Sequence, residues 1–456
     1  MASGSLITSR APRLAVFLVG RALSGVGGAA VSPVSLILII ELTSVKRRGL
    51  FIGCVNTCYT VGIACGAIIA GALDSLIGWR GIFALQAPLA LIAGVGVFLA
   101  IPSSNHDSND DDTTATTTTK PPQSILALLS QLDLPGLLLL VLTIVLLLYS
   151  LSSTPKITYS TLALSLLSLT LFLAVESQPH LLSTNSQAIL PLPLLLSPPI
   201  LLTSFATLTA MTARWSILFY TPVYALSVRT FPPTQAGLIL LPTNAGFALG
   251  NLLVGHFHVR RSGSFYTACV VVYACFAVSV LAIALITTED VWMGWYFAVV
   301  GVNGFMIGAS MVYALAHVLH RTPGGSHFIV SGLIAMFRGL SASFGSAIGG
   351  GVFSRILKKT LTGGFEERGV SAERKQELIR RLLGSPALVG KLAGVEREVA
   401  VEGYVVALRT LFTTAAVVAA VAMVLQAGTG WRAVGDDRVG GEEEDDGERI
   451  YAAGQD

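Results

Sequence analysis

The sequence predicts an all-α polytopic membrane protein, and three observations carry that prediction. Of 456 residues, 53% are apolar and only 12% are charged, where soluble domains carry roughly 25% charge. Mean hydropathy is +0.72. The apolar residues form continuous runs of membrane-spanning length rather than the period-two alternation of a transmembrane barrel. In lipid every backbone amide must be bonded within its own segment, so those runs are helices. The net charge of +3 is small, and no basic, aromatic-interleaved patch is present to hold nucleic acid.

A bilayer core of about 30 Å needs roughly 20 apolar residues per helix, which gives about eleven transmembrane helices. The N-terminal MASGSLITSRAPR lacks the basic, apolar and small-residue order of a signal peptide and leads straight into the first span. The first three spans are expected near 13–40, 50–73 and 82–101. The polar stretch 102–131, with its NHDSNDDDTTATTTTK run, cannot pack a core and reads as a disordered loop. Two uncharged Leu/Ser/Thr-rich helices follow over 132–176, split near 152–157. Residues 177–199 form a proline-punctuated linker. Five spans are expected near 200–227, 236–257, 265–287, 292–318 and 327–354. The polar segment 355–403 contains SAERKQELIRRLLGS, whose spacing and mixed charge mark a solvated helix. A last span is expected near 404–427, before an acidic, disordered tail over 428–456. The short loops VKRR, HVRRSGS and HRTPGGSH are richer in Lys and Arg than the opposite turns, which predicts that they are cytoplasmic.

Cations inside apolar runs are the most informative residues. Arg21 opens GRALSGVGGA. A guanidinium near the bilayer centre costs at least ~2.5–3.5 kcal/mol, so it faces a polar path or snorkels towards the helix start. Gly25 and Gly27 beyond it allow close helix approach. Gly62, Gly66 and Gly71 form a small-residue face in the second helix, and Gly345 and Gly349 lie in the denser run GLSASFGSAIGGGVF. Two such helices at corresponding places suggest the internal repeats of a secondary transporter. Arg214 lies mid-segment beside Trp215, ahead of Tyr220 and Tyr224; it faces a cavity or pairs with a polar group on a neighbouring helix. Asn56, Asn244, Asn251 and Asn303 read first as interhelical hydrogen-bonding amides, with Asn56 and Asn303 also candidates for lining a cavity. His256, His258, His317 and His320, near helix ends, read as solvated interface residues.

Near the spans, acids lie only at helix ends or turns, and none stands mid-membrane. The five cysteines all fall in apolar runs and read as buried small residues rather than a metal site or disulfide framework. There is no phosphate-binding glycine loop, HExxH or GxSxG, so neither an enzyme nor a cofactor is expected.

The chain resembles the drug:proton antiporter branch of the major facilitator superfamily, in its fungal fourteen-span form. Arg21, Gly25 and Gly27 match the family's fourth-helix motif, and Gly62, Gly66 and Gly71 its fifth-helix antiporter motif. Ala67 and Ala70 stand where that motif has a proline and a glycine. The corner at Gly78, Trp79, Arg80, Phe83, Gln86 and Pro88 matches the family's GWR element. LFYTPVYALSVRTFPPTQAGLILLPTNAGFALGNLLVGH and FRGLSASFGSAIGGGVF are similar to its ninth, tenth and thirteenth helices. RGLFIGCVNTCYTVG and IGWRGIFALQAP look closest to the vacuolar basic amino acid transporter subgroup.

This resemblance implies a major facilitator fold of two pseudo-repeat bundles. Residues 1–101 would be a partial N-terminal bundle (family helices four to six), 132–176 the two linker helices, and 200–354 the C-terminal bundle (helices nine to thirteen). Residues 355–403 would be the long non-cytoplasmic loop, and 404–427 the last helix. The family's first three helices would be absent. The resemblance further implies proton-coupled antiport of a small organic solute, drug-like or a basic amino acid, across a vacuolar or plasma membrane. Arg21 would serve proton coupling, with Asn56, Arg214, Tyr220, Tyr224 and Asn303 lining the cavity. The alternative expectation is a truncated, non-transporting membrane protein that at most associates with a partner.

Overall fold

The computed structural model describes residues 1–43, 45–100, 133–153, 158–177, 196–258, 265–322, 326–369 and 371–430. Among these the regular elements are helical, with no strand. The expected polar loop, most of the proline-punctuated linker and most of the acidic tail lie outside the described residues.

The helices are α1 (Ala2–Ser9), α2 (Leu14–Leu42), α3 (Val45–Ala100), α4 (Leu134–Ser152), α5 (Tyr159–Ser177) and α6 (Pro198–Ser227). They continue with α7 (Leu241–Leu253), α8 (Tyr266–Ile286), α9 (Met293–His320), α10 (His327–Glu367), α11 (Ala372–Gly384) and α12 (Gly394–Ala427). Nine helices among the described residues are long and apolar enough to cross a membrane. The expected sixth span, α6, is a helix of ample length, but its Ser and Thr residues and Arg214 keep it outside that set. The expected second span is the first part of α3, where many side chains are not described.

The chain divides into two compact units: Met1–Ser32, Ile69–Leu151 and Ile157–Leu195; and Pro33–Ile68, Ser152–Lys156 and Leu196–Asp456. In the first, the N-terminal stretch is helical rather than a plain lead-in. α1 lies against the small face of α2, so close that a Cβ on Gly20 would fall 2.5 Å from Thr8 Oγ1 and one on Gly27 2.5 Å from the Met1 nitrogen. The corner expected between the second and third spans falls at Gly78, where two helical stretches of α3 meet: its φ of 65° and ψ of 171° are non-helical and a side chain would resist them. Beyond the bend Trp79, Phe83 and Phe17 of α2 meet edge-to-face at 5.7–6.3 Å. Arg80 Nη2 donates to the Ala11 carbonyl at 3.2 Å.

The bland pair α4 and α5 is stitched by hydroxyls. Ser165 Oγ donates to Thr143 O (2.9 Å), Ser168 Oγ to Leu139 O (3.1 Å) and Ser150 Oγ to Thr158 O (3.0 Å). In lipid, where apolar side chains gain nothing by meeting each other, such bonds and small residues hold helices together. Asp133 Oδ1 accepts from the Gly136 amide at 3.0 Å and so satisfies a free donor at the start of α4.

In the second unit α6 packs against α10 and α12, α8 against α9 and α12, and α7 against α9. Tyr224, Tyr273, Tyr296, Tyr404, Phe276 and Phe412 fill the interior. α10 does not end near residue 354 but continues as a helix to Glu367. The reason is amphipathic spacing: Leu357, Leu361 and Phe365, four apart, are fully buried, while Lys358 and Lys359 stay exposed. α11, the expected solvated helix, buries Leu378, Ile379 and Leu382 on one face. Tyr404 donates to Leu382 O at 2.5 Å. Lys375 pairs with Glu366 and Arg374 with Glu396, both at 2.6 Å. The Glu396 bond and charge raise the pKa of the Arg374 guanidinium above its ordinary value.

Two further expectations need correction. His317 is buried, not solvated: its Nε2 lies 3.1 Å from Thr429 Oγ1, because the chain beyond α12 turns back over the end of α9. Arg321 donates to Thr429 O and Gly430 O in the same cluster (2.7 and 2.8 Å). Of the cysteines only Cys269 is buried; Cys54, Cys58, Cys65 and Cys275 are on helix surfaces, where hydrocarbon suits a thiol as well as a protein core does. Among the described residues no cluster of His, Cys, Asp and Glu is placed to hold a metal ion.

Candidate functional site

α6 carries the longest series of buried polar side chains among the described residues of the second unit. Thr203, Ser204, Thr207, Thr212, Arg214 and Ser216 are all buried on it. Arg214 reaches α7, where Nη2 donates to Asn244 Oδ1 at 3.1 Å and Nη1 lies 3.5 Å from Thr243 Oγ1. Its guanidinium stands 4.2 Å from the Phe247 ring centroid. Among the described residues no carboxylate pairs with it. Three neutral or π contacts hold a cation that lipid would otherwise penalise.

Asn303 on α9 donates through Nδ2 to Ser279 Oγ on α8 at 2.9 Å. Its Oδ1 is without a partner among the described residues, as is Asn244 Nδ2. Asn251 donates within its own helix, to Phe247 O at 2.9 Å. Tyr220 lies against Phe353 of α10 (4.9 Å between ring centroids). Tyr224 stacks on Tyr296 of α9 at 4.7 Å and donates to Thr288 O at 2.7 Å. Arg229, nearby, donates to the Glu289 carbonyl.

Of the residues read from sequence as cavity-lining, Arg214, Tyr220 and Tyr224 thus share α6 but turn to three different neighbours. Asn303 joins α8 to α9. The Asn56 side chain lies outside the described residues. Arg21, in the first unit, is exposed along α2 with its guanidinium 5.2 Å from the Phe83 ring centroid. Ala11, Pro12, Arg13, Leu14, Phe17, Trp79, Arg80 and Phe83 line a groove of about 480 Å³ in that unit.

The glycines divide similarly. A Cβ on Gly345 would lie 2.7 Å from Trp215 Cβ and 2.9 Å from Thr212 O; one on Gly349 would lie 3.2 Å from Tyr220 Cε2. Both lie where α10 crosses α6. Among the described residues nothing lies within 4 Å of a Cβ built on Gly25, Gly62 or Gly66, while Gly27 meets Met1. Gly71 is half-buried.

Sequence reasoning missed the tightest crossing of all. Gly246 and Gly250 of α7 face Gly304 and Gly308 of α9. A Cβ on any of the four would collide with a carbonyl oxygen opposite: Gly301, Phe305, Thr243 and Phe247 respectively. The signal was present as two GxxxG spacings, AGFALG and NGFMIG. This crossing positions Thr243, Asn244 and Phe247, the residues that receive Arg214.

Comparison with known proteins places these helices in a family. The chain is 26% identical over 375 residues to the acurin A biosynthesis cluster MFS-type transporter of Aspergillus aculeatus, covering 77% of this chain and 61% of that protein. It is 22% identical over 418 residues to vacuolar basic amino acid transporter 2 of Saccharomyces cerevisiae, covering 89% and 84%. A bacterial homolog of the human lysosomal transporter Spinster, solved in an inward-facing and unoccupied conformation, superposes with a TM-score of 0.55 at 12% identity, over 94% of this chain and 82% of that one. At that identity the likeness concerns the fold alone. The Major Facilitator Superfamily profile matches residues 1–346, more than half of the chain. The protein is therefore an all-α, multi-pass membrane protein that belongs to the Major Facilitator Superfamily.

Proposed function

We propose that the chain is a secondary active transporter that exchanges a small organic solute, drug-like or a basic amino acid, for protons. Family membership across residues 1–346 is the observation that carries this reading. Relatives named as vacuolar basic amino acid transporters and as a multidrug resistance protein support the two solute classes, and the former support a vacuolar membrane ahead of the plasma membrane. The same relatives support a transporter in preference to an enzyme.

Arg21 is the proton-coupling residue in this reading. Its guanidinium is on the α2 surface against an aromatic ring rather than sealed in the core, which leaves its donors available to a partner. Arg214, Tyr220, Tyr224, Asn303 and Asn56 line the solute path. The groups on α6 reach their neighbours through hydrogen bonds and ring contacts that can be exchanged for solute contacts as helices part.

Uptake into vesicles carrying the full chain tests the reading, with L-arginine and ethidium as the two probes. An imposed proton gradient accelerates uptake of one of them, and Arg21→Ala abolishes the acceleration while the protein remains folded in the membrane. Uptake indifferent to the gradient, or unchanged by Arg21→Ala, contradicts proton coupling through this residue.

A further inference from the structure

Arg214 is 5% exposed and Asn244 3%. An arginine side chain carries five N–H donors. Its neighbours here are Asn244 Oδ1 at 3.1 Å, Thr243 Oγ1 at 3.5 Å and the Phe247 ring at 4.2 Å, none of them charged. Taking an unpaired ion out of water is costly, and one aromatic face offsets only part of that cost. Because Asn244 turns its oxygen to the guanidinium, its Nδ2 is left without a partner among the described residues. The capacity left over at this place is therefore positive charge and N–H donors. An acceptor-rich anion is the complement, and a planar carboxylate matches the fork of a guanidinium.

We infer that Arg214 and Asn244 form a subsite for the carboxylate of the transported solute. The pair selects acid-bearing solutes over the corresponding amines and amides. The subsite rests on the transporter reading above. In this conformation the pair is closed over, so the solute reaches it when the packing around α6 and α7 opens. The α7–α9 glycine crossing keeps Thr243, Asn244 and Phe247 in register during that opening.

The test uses the full chain in lipid nanodiscs and two matched probe pairs, hexanoate with hexanamide and L-arginine with agmatine. Hexanoate and L-arginine raise the thermal unfolding midpoint, and their uncharged or decarboxylated counterparts bind at least about tenfold more weakly. Asn244→Asp supplies a carboxylate from within: it raises the ligand-free midpoint and abolishes the hexanoate shift. Arg214→Gln loses the same shift. Equal shifts from hexanoate and hexanamide, or from chloride at the same ionic strength, overturn the inference. So does an Asn244→Asp chain that still responds to hexanoate. Uptake measurements separate the two readings: carboxylate binding without uptake keeps the subsite and removes transport, whereas uptake that treats L-arginine and agmatine alike keeps transport and removes the subsite.

Discussion

Arg214 and Asn303 mark two points where α6–α9 exchange polar contacts at buried positions. Asn303 Nδ2 donates to Ser279 Oγ, and removing that acceptor strands a buried amide. Ser279→Ala is expected to lower unfolding stability by about 1–3 kcal/mol, the cost of an unsatisfied buried donor. Adding Asn303→Leu should return part of that loss, so the double variant costs less than the sum of the singles. Denaturant unfolding in detergent reads this directly; strict additivity would mean that the bond contributes nothing. The sequence made Arg214 visible because a cation inside an apolar run is rare. Its partner could not be chosen, since one sequence does not give the rotation of α7 about its axis. His317 was misread for a related reason. Its place near a helix end predicted solvent, but Thr429, just past the end of a different helix, covers it.

The α7–α9 crossing and the cap, where α11 packs between the ends of α10 and α12, show opposite ways of joining helices. In the first, glycines bring backbones together. Gly304→Ala sets a Cβ against the Thr243 carbonyl and should cost about 1–3 kcal/mol by overpacking. Gly25→Ala, with open space around it, should leave stability unchanged or raise it by up to about 1 kcal/mol through helix propensity. Equal effects at the two sites, measured by thermal unfolding, would contradict the crossing. In the cap, charged pairs are conspicuous but partly solvated. Lys375→Ala is expected to cost about 0–1 kcal/mol, while Leu361→Ala, at a fully buried position, costs about 2–5 kcal/mol. The long apolar runs made most helices legible. Their ends were less so: α10 runs on to Glu367 because its buried positions keep a four-residue spacing after the polar residues begin. The corner at Gly78 was legible from the GWR element rather than from hydropathy, and its positive φ is one that glycine adopts without strain.

For the molecule as a whole, composition was enough to predict a helical membrane protein, and the motifs around Arg21, Gly78 and Gly345 were enough to point to the family. A composition dominated by lipid-facing residues says little about function, because those side chains face hydrocarbon whatever the solute. The informative minority is the buried polar set on α6, α7 and α9, together with Arg21. Antiport requires that solute movement and proton movement be linked in the same chain, and that link is most directly measured as a proton flux. Vesicles loaded with a pH-sensitive dye and carrying the full chain, with no gradient at the start, are given L-arginine or ethidium on one side. Coupled exchange predicts an internal pH change that begins on addition of the accepted solute and is absent with Arg21→Ala. Solute entry with no pH change in the unmodified protein would contradict proton-coupled antiport.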